Sequence, residues 1–142
     1  MIMDRSLLFS DGQAITATAA STNLVDLGAT GTPYGGTAIV RNIGHGHSVP
    51  MVVTVTESFN TLTSLTITLE VDDNASFSSA VIAWTSPAYT LAQLATGAKH
   101  LMPDYIPSSV NERYLRLKYT VGGSNPTLGK ITAGVVMARQ TA

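Results

Sequence analysis

The sequence predicts an all-β fold, a jelly-roll β-sandwich of about eight short antiparallel strands with an extended N-terminal arm, and three observations predict it. Leu65, Ile67, Leu69 and Val71 alternate with Thr66, Thr68 and Glu70, the period of two required by a strand with one buried and one wet face. Leu115, Leu117, Tyr119 and Val121 alternate in the same way with Arg116, Lys118 and Thr120. Turn-forming clusters separate the other short β-branched runs and helical periodicity is almost absent, which favours a sandwich, jelly roll or small barrel over an α/β fold.

Taken in order, the N-terminal MIMDRSLLFSD places Asp4 before a short apolar patch and has no basic leading region, so it reads as neither a signal peptide nor a membrane anchor. Residues 1–22 read as an arm. Its Ala/Thr-rich core, in SDGQAITATAASTNLVDLG (10–28), carries too little apolar surface to close a core of its own and stays mobile unless docked. Leu24, Val25 and Leu27 read as the start of the sandwich, which then spans residues 23–142. GATGTPYGG lacks the terminal Lys and the helix of a phosphate-binding loop and reads as an ordinary loop.

Residues 37–43 and 50–57 are β-branched and flank GHGHS, which suggests a hairpin. VDDNASFSSA reads as a loop, Val81–Thr85 as a strand, and residues 89–98 as strand or loop, although Leu91 and Leu94 have helical spacing. Pro87, Pro103 and Pro107 belong at edges or strand ends. Ile131, Ala133, Val135 and Met137 form a last alternating strand, and GGSNP joins it to the preceding one as a terminal hairpin.

Composition narrows the function classes. A chain of 142 residues fits one domain. Charged residues make up 12%, against roughly 25% in an average domain, and net charge is -1. No basic run offers a footprint for nucleic acid, no apolar run reaches membrane-spanning length, and with no cysteine neither disulfides nor a thiolate zinc site exist.

Each chemical constellation has a plainer reading beside it. His45 and His47 in GHGHS point the same way on an extended chain, but two imidazoles do not close a metal sphere, and a solvated turn explains them. Asp72, Asp73 and Asn74 lack the spaced ligands and distal Glu of a calcium loop and read as a strand end and turn. No strained turn sets a Ser beside a His, and Glu57, Glu70 and Glu112 fit solvent-facing strand positions. No catalytic residue, metal or cofactor is therefore assigned, and an enzyme is not expected. Trp84 and Tyr89 suggest the alternative of a carbohydrate-binding, lectin-like module on a secreted or virion surface.

LLFSDGQAITATAASTNLVDLG, VTVTESF, LTITLEVDDNASFSSA and NERYLRLKYTVGGSNPTLGKITAGVV together resemble the jelly-roll capsid cement, or decoration, proteins of tailed bacteriophages across nearly the whole chain. The resemblance implies a structural virion protein made in the host cytoplasm and carried on the outer surface of an HK97-fold icosahedral capsid. Its partners would be the phage major capsid protein and itself, as a homodimer or homotrimer, and it would stabilise the capsid by bridging neighbouring capsomers. Leu7, Leu8, Phe9, Gln13, Ile15 and Asn23 of and beside the arm are the residues expected to touch capsid or a partner subunit.

Overall fold

Strand pairing follows the two strongest alternating segments, which lie side by side at the centre of one sheet. A computed structural model describes residues 3–97, 100–108 and 110–138. The strands are β1 (Met3–Ala14), β2 (Ala19–Ala20), β3 (Val25–Asp26), β4 (Val49–Glu57), β5 (Leu62–Asp72), β6 (Val81–Thr85), β7 (Tyr89–Thr90), β8 (Tyr105–Ile106), β9 (Tyr114–Gly123) and β10 (Lys130–Val136). A single 3₁₀ turn, Leu91–Leu94, follows β7, with Thr90 and Gln93 forming its capping box.

One sheet has the order β1-β10-β4-β8; the other runs β2-β9-β5-β6, with β3 also on β9 and β7 also on β5. Every pairing is antiparallel, and the pairs nest. The first strand lies on the last, β2 and β3 lie on β9, β4 lies on β8, and β5 lies on β6 and β7. A chain doubled back on itself in this way and wrapped into two sheets is a jelly roll.

Alternation builds the core between the sheets. Leu65, Ile67 and Leu69 of β5 and Leu115, Leu117 and Tyr119 of β9 are buried from one side, Met51, Val53, Ile131 and Ala133 from the other. Each large apolar side chain closed in this way contributes about 1.5–3 kcal/mol relative to exposure.

The structure departs from the sequence reading in pairing and in two faces. The terminal hairpin does not form, because β9 and β10 belong to different sheets and the connection after Gly123 crosses between them. Two strands that each have one apolar face pack face to face as readily as edge to edge, so alternation leaves the partner open. The 37–43 segment is loop, with only Ile43 in a bridge to Val110, so no hairpin surrounds GHGHS. In β10 the buried face shifts at Gly134, leaving Met137 89% exposed. The register of β1 slips opposite Gly134, where Leu7 O and Leu8 Cδ2 come within 3.0 Å of a built Cβ position.

Of the arm expected over residues 1–22, the described part, residues 3–22, is not separate from the sandwich. Residues 3–14 form an edge strand of the first sheet, and Ala19–Ala20 pair with Lys118 and Tyr119 of β9. Backbone pairing supplies what their small side chains cannot.

Gly129, at φ +133, turns the chain into β10 against the ring of Phe59. A Cβ there would fall 2.3 Å from Phe59 Cδ1. Gly129→Ala is expected to lose at least the about 1–3 kcal/mol that overpacking costs, read as a lowered urea midpoint, and an unchanged midpoint would refute this packing.

Candidate functional site

The residues expected to make contacts divide by burial. Phe9 and Ile15 are fully buried in the chain's own core, so they are corrected from contact residues to core residues. Their apolar area is already removed from water here. Leu7 and Leu8 are half-buried along β1, and Leu7 packs against the core. Asn23 is exposed, and its backbone N–H donates to Phe9 O at 3.0 Å.

Gln13 is the junction of a polar network. Its Oε1 accepts from Ser10 Oγ at 2.7 Å and from Thr22 N at 2.9 Å, while its Nε2 donates to Ala20 O at 2.9 Å. With the Ser10 hydrogen directed at Gln13, the Tyr119 hydroxyl donates to Ser10 Oγ at 2.8 Å. This bond spans the core from β9 to β1. Burial pushes the Tyr119 phenol up, against the opposing pull of its bond with Ser10, so it stays neutral across ordinary pH.

Charge is gathered on the outside of the second sheet. Glu70 is 6% exposed, contrary to its expected solvent-facing role. Arg116 binds Glu70 Oε2 at 2.7 Å, Lys118 approaches Oε1 at 3.5 Å, and the ring of Phe77 covers the Arg116 guanidinium at 4.1 Å. Phe77 reaches that position from a left-handed φ of +52, a conformation that bulky side chains rarely adopt. Glu57 pairs with Lys130 at 2.6 Å, and that hydrogen bond holds its carboxyl below the usual range.

Asp26 receives both arms of the Arg113 guanidinium, at 2.7 and 2.8 Å, and the Gly28 N–H. Its carboxyl is held down to about 2, chiefly by Arg113. Burial raises the carboxyl of Asp72, but hydrogen bonds from Asn74 N, Ser79 N and Ser79 Oγ more than offset this and leave it lowered. The Asp72 oxygens are therefore occupied in closing a turn.

His45 and His47 are exposed in the turn before β4, and the described residues contain no group of three or more His, Cys, Asp or Glu able to hold a metal. Trp84 and Tyr89 are half-buried against the core, and the Tyr89 hydroxyl accepts the Met102 N–H at 2.8 Å. They are not an open pair of stacking surfaces.

The feature that sequence reasoning passed over is the connection from β3 to β4. Both ends of its projecting part are fastened to one segment. Leu27 N donates to Arg113 O at 2.9 Å; on the return side Arg41 donates to Asn111 O at 3.0 Å and to Gly28 O, Asn42 N to Asn111 Oδ1 at 2.8 Å, and Ile43 N to Val110 O at 3.0 Å. Between these staples the loop holds itself through Ile39 N to Gly31 O and Gly36 N to Pro33 O, both 3.0 Å. Tyr34 is fully exposed at the tip, and Ile39 and Val40 are more than half exposed. The available signal was the absence of any charged residue between Asp26 and Arg41.

Beside the staples lies a shallow hollow of about 270 Å³ walled by Val71, Val81, Ala83 and Val110, with Asn111 and Glu112 also lining it. A second hollow of about 300 Å³ lies between Leu7 and Val135–Met137, with Asp4 at its side.

Nested antiparallel pairing of the ten strands among the described residues, arranged in two sheets, defines a jelly-roll β-sandwich protein. Residues 9–135 match the Bbp16 family, and the chain belongs to that family. A search of curated proteins finds no match to it.

Two expected outcomes test this geometry. Ser10→Ala strips the buried Tyr119 hydroxyl of its partner and should cost about 1–3 kcal/mol, whereas Tyr119→Phe leaves Ser10 bonded to Gln13 and should cost less; the reverse order in chemical denaturation would contradict the network. The Asp26 carboxyl is depressed on folding, so its contribution is present above the ordinary value of 3.8 and is lost as pH falls toward about 2. Asp26→Asn should therefore melt below the parent protein at pH 7, with the gap closing as pH falls from 3.8 and vanishing only below about 2.

Proposed function

We propose that this chain is a structural virion protein of the cement type, attached to the outer surface of an icosahedral phage capsid and bridging neighbouring capsomers. The observation that carries this reading is the dispersal of exposed large apolar side chains over a body with few charges. Tyr34, Ile39, Val81, Ile82, Leu128 and Met137 all stand at the surface, on loops, a sheet edge and beyond the last strand. Such a body suits attachment at several points, where each contact raises the effective concentration for the next and no single strong site is needed. The resemblance to capsid cement proteins across nearly the whole chain supports the same reading, with the major capsid protein and a further copy of this chain as partners. The carbohydrate alternative rested on Trp84 and Tyr89, and their packing against the core gives it no support.

Removing residues 1–20 would delete β1 and disrupt the fold, so attachment is tested with the intact chain. Purified protein added to capsids lacking it should co-sediment with them and raise their temperature of disruption. Protein left wholly in the supernatant, with no shift in capsid melting, would refute the proposal.

A further inference from the structure

We propose that Asp11–Gly12 is a modification site, where the chain rearranges spontaneously to an isoaspartyl linkage, and that the Thr132 hydroxyl guards it. This is independent of capsid attachment. Of the six Asp and six Asn residues only Asp11 is followed by Gly, whose bare Cα leaves its nitrogen unhindered as a nucleophile toward the carboxyl before it.

The local geometry supplies both the reactants and the guard. Ser10 pairs with Ala133 and Gln13 with Ile131, so Asp11 and Gly12 together face Thr132 in a β-bulge. The extra residue has no place in the ladder, and Gly12, at φ +56, donates its N–H to the Thr132 side chain at 2.9 Å instead. Asp11 is exposed, and no hydrogen bond or ion pair among the described residues engages its carboxylate. A Cβ built on Gly12 meets nothing within 4 Å. Solvent therefore reaches the pair from outside, while one hydroxyl holds the nitrogen from within.

The reaction needs no partner but water. When β1 opens at the bulge, Gly12 N bonds to Asp11 Cγ, and the displaced hydroxyl leaves with the amide proton as water, closing a succinimide ring. Water then adds to the former peptide carbonyl of Asp11 and breaks its bond to Gly12 N. The main chain now runs through Cγ, and Asp11 carries a free α-carboxylate. One water is lost and one regained, so the mass is unchanged, but the backbone is longer by one carbon. That displaces Gln13 and Ile15, which tie the chain to Ala20, Thr22 and Gly129, and β1 no longer recloses in its old register. An edge strand opens and closes fast beside such chemistry, so the rate follows the open population.

The test incubates the intact protein folded and, in parallel, in urea. Isoaspartyl residues are labelled with an isoaspartyl O-methyltransferase and a radioactive methyl donor, then located by peptide mapping. Label should collect at residue 11, at least tenfold more slowly in the folded protein than in urea. It should vanish from that position in Asp11→Glu, whose reaction would need a larger ring. Thr132→Val keeps the branched shape but removes the acceptor, and it should react about fivefold faster than the parent protein, the effect of losing one hydrogen bond. Amide hydrogen exchange in this variant should rise at Gly12 and stay unchanged along β9. Absence of label at residue 11 in urea, equal rates folded and unfolded, or a Thr132→Val variant no faster than the parent protein would overturn the proposal. Faster exchange along β9 as well would also overturn it, because the gain would then be a general loss of stability and not the removal of a guard.

Discussion

Closure of the first strand on the last is the constraint on which this fold rests. β10 sits between β1 and β4, so without β1 its outer edge would be unpaired and Phe9 and Ile15 would leave the core. The Tyr119–Ser10 bond adds a tie through the interior, from the centre of one sheet to the edge of the other. Gln13 then turns the chain toward β2 by holding Ala20 and Thr22. A residue type abundant on protein surfaces thus organises the passage between sheets, because its amide both donates and accepts.

The scarcity of charge is matched by its placement. Arg113, Arg116, Lys118 and Lys130 each meet a carboxylate, and three of the four stand on or beside β9. Glu70 is covered by two cations, one of them capped by the Phe77 ring, on the outer face of a sheet whose inner face is already apolar. The stapled loop lies outside this concentration of ion pairs. Its exposed part therefore meets solvent with hydroxyls, backbone and apolar side chains alone.

Much of the fold was legible because strand periodicity is a local signal. Leu65 to Val71 and Leu115 to Val121 announce β5 and β9, and Val81–Thr85 is β6 with the expected bounds. What alternation leaves open is the neighbour, and both expected hairpins failed on that point. The N-terminal stretch misled for a related reason. Composition registers side-chain area, whereas β1 and the residue that follows it are held by backbone pairing and two large side chains, Phe9 and Ile15. At the surface, Tyr34, Ile39 and Val40 lie in a segment whose turn residues identify a loop without revealing that Arg41 and Asn111 fix its direction.

Nested pairing also sets an order of events during synthesis. Gly12 N donates to Thr132 Oγ1 across 120 residues of chain, so β1 has no partner until β10 has been made. The β5–β6 and β5–β7 pairs close over far shorter loops and can form while β1 is still waiting. Such distant contacts make folding slow and leave strand edges open meanwhile. Small, uncharged residues following β1 limit the hydrophobic surface it presents during that delay, which gives the Ala/Thr-rich stretch a use before the native state exists.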